Sequence, residues 1–327
     1  MSGPGPLSVL RAHELEVWPE DRRWLIEELW AEQAVGIVGG EPKSFKSFLA
    51  LDIAVAVASG ALCLGRFPVV HKGPVLLFAA EDAPHIVRRR IEGIALAADV
   101  PFETLDIHVI TSPSLRLDLG EDQSRLRQTI ERLRPRLLVL DPFVRLHRID
   151  ENVAAEVAPV LGYLRHLQRS FEMAVLLVHH ARKGAAHARA GQALRGSSEL
   201  HAWGDSNLYL RRKGETLRLS IEHRAAPCAD GLAVELRQQG RGLSLHVADP
   251  EADQPTLATS ILDRVEQTLA SAATPLTRDD LRRACRVRMT TLGEALAKLT
   301  AQGRVLKSND GYLLASRRGP VPVPLTL

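Results

Sequence analysis

The sequence predicts an α/β protein built on a mostly parallel sheet, followed by a small second domain. Three observations carry that expectation. Short continuous runs of Val, Leu and Ile alternate with helical segments from residue 34 to about 180. A glycine-bearing turn links the first run to a helix. Past a polar, two-proline stretch at 248–255 (ADPEADQP), the pattern changes to helices and a hairpin.

The apolar runs are Val35–Val38, Val75–Ala79, Ile107–Ile110, Leu137–Leu140 and Val175–Val178. Each is continuous rather than alternating, as in parallel strands covered on both faces. Helices are expected at 47–59, 84–98, 122–133 and 152–169, and the alternation fits a doubly wound sheet. The most apolar stretch, Phe48–Leu64, carries Asp52 and is short for a membrane span, so it reads as a buried helix. From 205 to 247, Leu208–Leu210, Thr216–Ile221, Ala233–Leu236 and Leu243–Val247 predict short strands that extend the sheet as antiparallel edge strands.

Helices are then expected at 258–272, at 278–285 with Thr277 as N-cap, and at 290–302. Arg304–Lys307 and Tyr312–Ala315 flank Asn309-Asp310-Gly311, a strong hairpin signal. Three helices and a hairpin are the outline of a winged helix, with Leu276, Leu281, Leu292, Leu296, Leu299 and Val305 as its core. The plan is therefore a lead segment at 1–33, a nucleotide-binding domain at 34–248, a linker at 249–257, a winged-helix-like domain at 258–316 and a flexible tail at 317–327. In the lead segment Trp18, Trp24, Leu25, Leu29 and Trp30 are apolar enough to pack on the core or on a neighbouring subunit.

Composition bounds the function. With 327 residues, 45% hydrophobic and 25% charged, the chain is long enough for two domains and is not a disordered one. Aromatic residues make up 4%, which argues against extended base-stacking platforms. The net charge of +3 divides unevenly. Residues 254–327 hold 11 basic and 6 acidic residues, against 31 and 33 in residues 1–253. The basic excess thus lies in the last quarter. Cys63, Cys228 and Cys285 are far apart and give neither a disulfide framework nor a zinc spacing. The opening MSGPGPLSVL has no basic n-region, so no signal peptide is expected, and the compartment expected is the cytoplasm.

The chemistry starts after the first strand. From Gly40, the run Gly40-Glu41-Pro42-Lys43-Ser44-Phe45-Lys46-Ser47 has P-loop spacing, with Phe45 in place of the last glycine. Backbone N–H groups and a helix N-terminus cradle phosphates in such a loop. Lys46 neutralises the β/γ-phosphates and the Ser47 hydroxyl binds Mg²⁺. The second strand ends in Glu81-Asp82. Glu81 is placed to orient and deprotonate an attacking water, while Asp82, before Ala83-Pro84, reads better as a helix cap. Leu137–Leu140 ending in Asp141 is a Walker B pattern, with the Asp near Mg²⁺. The fifth strand runs into His179-His180, where a polar residue can sense the γ-phosphate. Arg195, after an Ala/Gly-rich segment, is a candidate arginine finger acting on a neighbouring subunit's site.

Taken in order, GGEPKSFKS, LLFAAEDAP, LLVLDPFVRLH, LLVHHARKGAA and LRGSSEL resemble the RecA/DnaB/KaiC-like ATPases, most closely the hexameric RepA-type plasmid replicative helicases. The resemblance runs through roughly residues 35–210. It implies a RecA-like core, ATP and Mg²⁺ as ligands, and a ring, usually hexameric, with ATP between protomers. It also implies Lys46 and Ser47 on phosphate and metal, Glu81 as catalytic carboxylate, Asp141 as Walker B, His179 as sensor and Arg195 as finger. It does not extend to residues 254–327. There Arg282, Arg283, Arg286, Arg288 and Lys298 form a candidate DNA-binding face, read against a solvated basic face or a protein-contact module. A DNA-acting ATPase, a nucleotide-gated DNA-binding regulator and a scaffold ATPase without nucleic acid all remain compatible with the residues; no membrane partner is expected.

Overall fold

The computed structural model describes residues 9–15, 17–19, 22–180, 198–213, 216–240, 242–248, 261–272, 274–285, 289–308 and 311–315. The chain divides into two compact units, Met1–Asp249 and Pro250–Leu327.

The first unit begins with a small hairpin, β1 (Trp24–Ile26) and β2 (Trp30–Ala31). Leu25, Leu29 and Trp30 are fully buried in the main core, and the Trp24 ring meets His223 edge-on with centroids 4.9 Å apart. Trp18 instead stays half exposed. The lead segment therefore supplies one end of the core.

Five repeats of strand and helix follow: β3 (Val35–Gly40), α1 (Lys46–Ser59), β4 (Val75–Ala79), α2 (Pro84–Ala97), β5 (Ile107–Val109), α3 (Gly120–Leu133), β6 (Leu137–Asp141), α4 (Ala154–Phe171), β7 (Ala174–His180) and α5 (Ser198–Trp203). A meander of β8 (Ser206–Lys213), β9 (Thr216–His223), β10 (Ala229–Gln239) and β11 (Gly242–Val247) completes the unit. All these strands lie in one nine-stranded sheet in the order β11-β10-β9-β8-β3-β7-β6-β4-β5. From β8 to β5 the pairings are parallel, and from β8 to β11 they are antiparallel. The α/β fold is thus a mainly parallel sheet with antiparallel edge strands, the class the sequence predicts.

The two faces of the sheet carry separate cores. Ala34 just before β3 and Val38 within it, with Leu176 and Val178 of β7, pack under α1 and α2. Val35, Ile37, Val175 and Leu177 pack under α3 and α4. The period-2 alternation of each strand feeds both layers, so the runs read as continuously apolar. Eleven of the fourteen residues of α1 are buried, as expected for a helix with no polar face. Inside it, Asp52 accepts hydrogen bonds from the Leu64 amide (2.9 Å) and the Cys63 thiol (3.4 Å). Burial still pushes its pKa up to about 6. Among the described residues no helix is long and apolar enough to cross a membrane.

Two glycines decide the β3–β8 pairing. A Cβ at Gly36 would lie 1.6 Å from the Ser206 carbonyl oxygen, and one at Gly40 would lie 2.5 Å from that of Leu210. Only a residue without a side chain lets β8 lie this close. The N-cap of α2 is Ala83, not Asp82, with Pro84 in the first turn. This corrects the capping expectation: Asp82 pairs with Arg90, one turn further along α2, where a full charge replaces a single backbone donor.

The second unit contains α6 (Ile261–Ser271), α7 (Arg278–Cys285), α8 (Met289–Ala301) and an antiparallel hairpin of β12 (Val305–Ser308) with β13 (Gly311–Leu314). Thr277 Oγ1 accepts from the Asp280 amide at 3.2 Å and starts α7 as expected. Leu276 bridges to Tyr312 of the hairpin. Leu281, Leu292, Leu296, Leu299 and Val305 are buried together with Val265, Leu269 and Tyr312. The expected linker at 249–257 lies outside the described residues except as the boundary between units, and the expected tail at 317–327 lies outside them entirely.

Candidate active site

The site is built at the carboxyl ends of the parallel strands, where an open α/β sheet leaves a crevice. β3 ends at Gly40 and α1 begins at Lys46, so the five residues between them form a loop at a helix N-terminus. Its backbone turns sharply: Lys43 and Phe45 both have φ of 64°. For a side-chain-bearing residue that left-handed conformation costs about 1–2 kcal/mol. Phe45 therefore keeps the backbone a glycine would take, and its ring packs half-buried against the α1 core. Ser44 is buried, and its Oγ makes no hydrogen bond within the chain. An unsatisfied hydroxyl at this place is a donor left over for a ligand.

The strand order brings the acidic groups to the same loop. β6 pairs with β4 so that Asp141 lies opposite Ala79, and the Ala80 amide donates to the Asp141 carbonyl at 2.8 Å. That tie sets Glu81 and Asp82 just beyond the end of β4, beside the Asp141 carboxylate. Ser47 hydrogen-bonds the Asp141 side chain. Lys46 Nζ donates to the Glu41 carbonyl at 2.8 Å. Glu81 is half exposed and accepts from Arg145 Nε at 3.0 Å. A pocket of about 840 Å³ opens over these groups, lined by the loop from Glu41 to Ser47 and by Glu81, Asp82, Asp141, Arg90, His180 and Arg212.

Burial dominates the electrostatics. It lowers the Lys46 pKa to about 8, against the opposing charges of Asp141, Glu81 and Glu41. It raises the Asp141 pKa to about 6; the Ser47 bond and Lys46 pull downward, and the Asp82 and Glu81 charges push further up. Lost hydration thus pushes each group toward its neutral form, a cost that bound charge of the right sign offsets. The Ser47 hydroxyl and Asp141 carboxylate form a hard-oxygen pair, the donor type Mg²⁺ takes, so the residues present fit that ion.

The predicted loop residues, Gly40 excepted as the strand end beneath, all line the pocket with Glu81 and Asp141. His179 does not. It is 1% exposed and faces Phe143 edge-on at 5.9 Å, on the sheet face away from α1. Strand alternation gives the pocket to His180 instead. Arg195 lies outside the described residues, as do Arg286, Arg288 and the side chain of Arg283. Arg282 and Lys298 are exposed in the second unit, Arg282 with Asp279 at 3.5 Å. Sequence reasoning missed Arg90 and Arg212. The even positions of β8 (Leu208, Leu210, Arg212) carry a face signal, but the pairing of β8 with β3 has no local mark.

A phosphate-binding loop facing two strand-end carboxylates across one pocket defines a P-loop nucleotide hydrolase. The chain belongs to the AAA domain family: residues 4–186, more than half its length, match the AAA_25 family. It is a P-loop ATPase. Among solved structures it is similar to the RadB recombinase, at 17% identity and a TM-score of 0.46, over 65% of this chain and 91% of that one. It is also similar to a KaiC-like protein from the hyperthermophilic archaeon Pyrococcus horikoshii OT3, at 15% identity and a TM-score of 0.47, over 68% and 93%.

Proposed function

We propose that this protein is a Mg²⁺-dependent, ring-forming ATPase that acts on DNA in the manner of RepA-type helicases, in the cytoplasm. The observation that carries the reading is the convergence of Lys46, Ser47, Glu81 and Asp141 on one pocket. Lys46 neutralises the terminal phosphates. Glu81 accepts a proton from water as the water oxygen attacks the γ-phosphorus and the bond to the ADP oxygen breaks. Ser47 and Asp141 would hold Mg²⁺, which when bound screens the charge of the phosphate oxygens. Arg195 from a neighbouring subunit adds positive charge at the transferring phosphoryl group, a contribution worth about 10³-fold or more. Three free cysteines suit a reducing compartment.

ATP turnover measured with and without single- and double-stranded DNA, beside the mass of the assembly, tests this reading. A multimer stimulated by DNA that displaces a strand from a fork supports it. Turnover indifferent to DNA, with no salt-dependent DNA binding, leaves a scaffold ATPase instead. Arg195→Ala is expected to regain turnover when mixed with Lys46→Ala subunits, because the two lesions fall on opposite sides of one interface; no rescue at any ratio removes the trans finger.

One observation favours a second reading. The helix-helix-helix-hairpin order of the second unit, joined by the Leu276–Tyr312 bridge, supports a winged-helix-like module. With Arg282 and Lys298 on its surface, that module suits an ATP-gated regulator that binds duplex DNA through α8. Duplex binding that depends on ATP, without unwinding, separates it from the motor.

A further inference from the structure

Arg212 stands in the phosphate pocket of its own chain, and the P-loop pattern does not account for it. Its position follows from the sheet. β8 runs parallel to β3 with Leu210 opposite Gly40, so Arg212 overhangs the loop two residues beyond the end of β3. Leu208 and Leu210 face the α1 core, and strand alternation puts Arg212 on that same face. The bare backbone of Gly40 permits the approach.

The other cations near it are already engaged or belong to the loop. Arg90 is paired with Asp82, and Lys46 donates to the Glu41 carbonyl. Arg212 is exposed, and among the described residues no carboxylate pairs with it. What it does touch is the Phe45 ring, with the guanidinium carbon 5.9 Å from the centroid. Phe45 is the residue that departs from the P-loop pattern. It holds the left-handed backbone that glycine takes without strain, and it turns an aromatic face toward the guanidinium. A ring at that place gives the loop something glycine cannot: a surface on which a cation rests. The planar guanidinium fork matches phosphate oxygens in pairs.

We propose that Arg212 contacts the phosphate chain of the nucleotide bound on its own P-loop, and that Phe45 is the positioning residue that holds it there. The proposal rests on the P-loop reading above. It adds a phosphate ligand supplied in cis by β8, and it gives the substituted glycine a function.

Equilibrium titration of the full-length protein with ATP and with ADP, in Mg²⁺, tests both levels. Lys46→Ala reports on the P-loop reading; Arg212→Gln, Arg212→Lys, Phe45→Leu and the Phe45→Leu/Arg212→Gln double variant report on the inference. Arg212→Gln is expected to raise the Kd for ATP about tenfold or more, the usual loss of one charge-assisted hydrogen bond. It is also expected to flatten the salt dependence of binding. Arg212→Lys keeps the charge but not the fork and falls between. Phe45→Leu is expected to weaken ATP binding severalfold while adding nothing to Arg212→Gln, because both act through one contact. Wild-type affinity in Arg212→Gln, with binding lost in Lys46→Ala, overturns the inference and leaves the P-loop reading standing. Additive effects of Phe45→Leu and Arg212→Gln overturn the positioning role. Unchanged binding in Lys46→Ala overturns the P-loop reading itself.

Discussion

The two units of this chain spend their residues differently. The first buries Lys46, Asp141, Asp52 and Ser44, groups that resist burial, and most of them gather at one end of one sheet. Among the described residues, the second buries an apolar set of Leu, Val, Ala, Cys and Tyr and leaves its charges on the surface. A fold optimised only for stability resembles the second. Polar groups held against their hydration, as at the strand ends of the first unit, mark where a ligand is meant to complete the structure.

Substitutions sharpen that contrast. The largest effect is expected at Lys46: Lys46→Ala should reduce ATP turnover by about three orders of magnitude or more, whereas the pair Arg282→Ala and Lys298→Ala should leave turnover without DNA unchanged. A phosphate-release assay on both proteins checks this. Next is Gly36→Ala, whose new methyl would meet the Ser206 carbonyl at 1.6 Å. Parting β8 from β3 should destabilise the first unit by more than about 4 kcal/mol, seen as loss of the folded baseline in denaturant.

In the second unit the matching break is Leu292→Ala. Leu292 is fully buried, and its loss should cost that unit about 2–5 kcal/mol. Chemical denaturation followed by fluorescence and by proteolysis should show the loss there while nucleotide binding survives.

Asp141→Asn is expected to act in the opposite direction. In the folded chain Asp141 keeps its proton to about pH 6, while in the unfolded chain it loses it near 3.8. Between those values the folded state binds more protons, so stability falls as pH rises, and the cost is complete above pH 6. Removing the charge should therefore stabilise the nucleotide-free protein at pH 7.5 by on the order of 2 kcal/mol, and by little at pH 4. Melting curves across that range test the sign, and turnover should be lost throughout. The smallest effect belongs to the surface: Arg282→Ala should lower the salt slope of DNA binding by about one unit at most.

Much of the fold was legible because it is written locally. Strand runs such as Leu137–Leu140 and the P-loop spacing from Gly40 to Ser47 need only near neighbours in sequence, and every helix but the short α5, which was not expected, starts within three residues of its expected place. The lead segment was harder. Trp30 reads as apolar, but that it lies under Gly36 depends on a contact across the fold. Asp82 and the His179-His180 pair failed for a related reason. A cap and an ion pair look alike until Arg90 is seen across the turn, and two adjacent histidines are indistinguishable until the strand faces are assigned.

By itself the sequence determined the phosphate loop, the acidic strand ends, the apolar layers and the charge division between the two units. These follow from spacing and period, which are properties of the backbone. Only the tertiary structure decided which strand lies beside β3, and with it that His180 rather than His179 faces the pocket and that Arg212 reaches Phe45. Pairing between strands distant in sequence is set by packing of whole faces and by close approaches such as those at Gly36 and Gly40, and no local pattern encodes it.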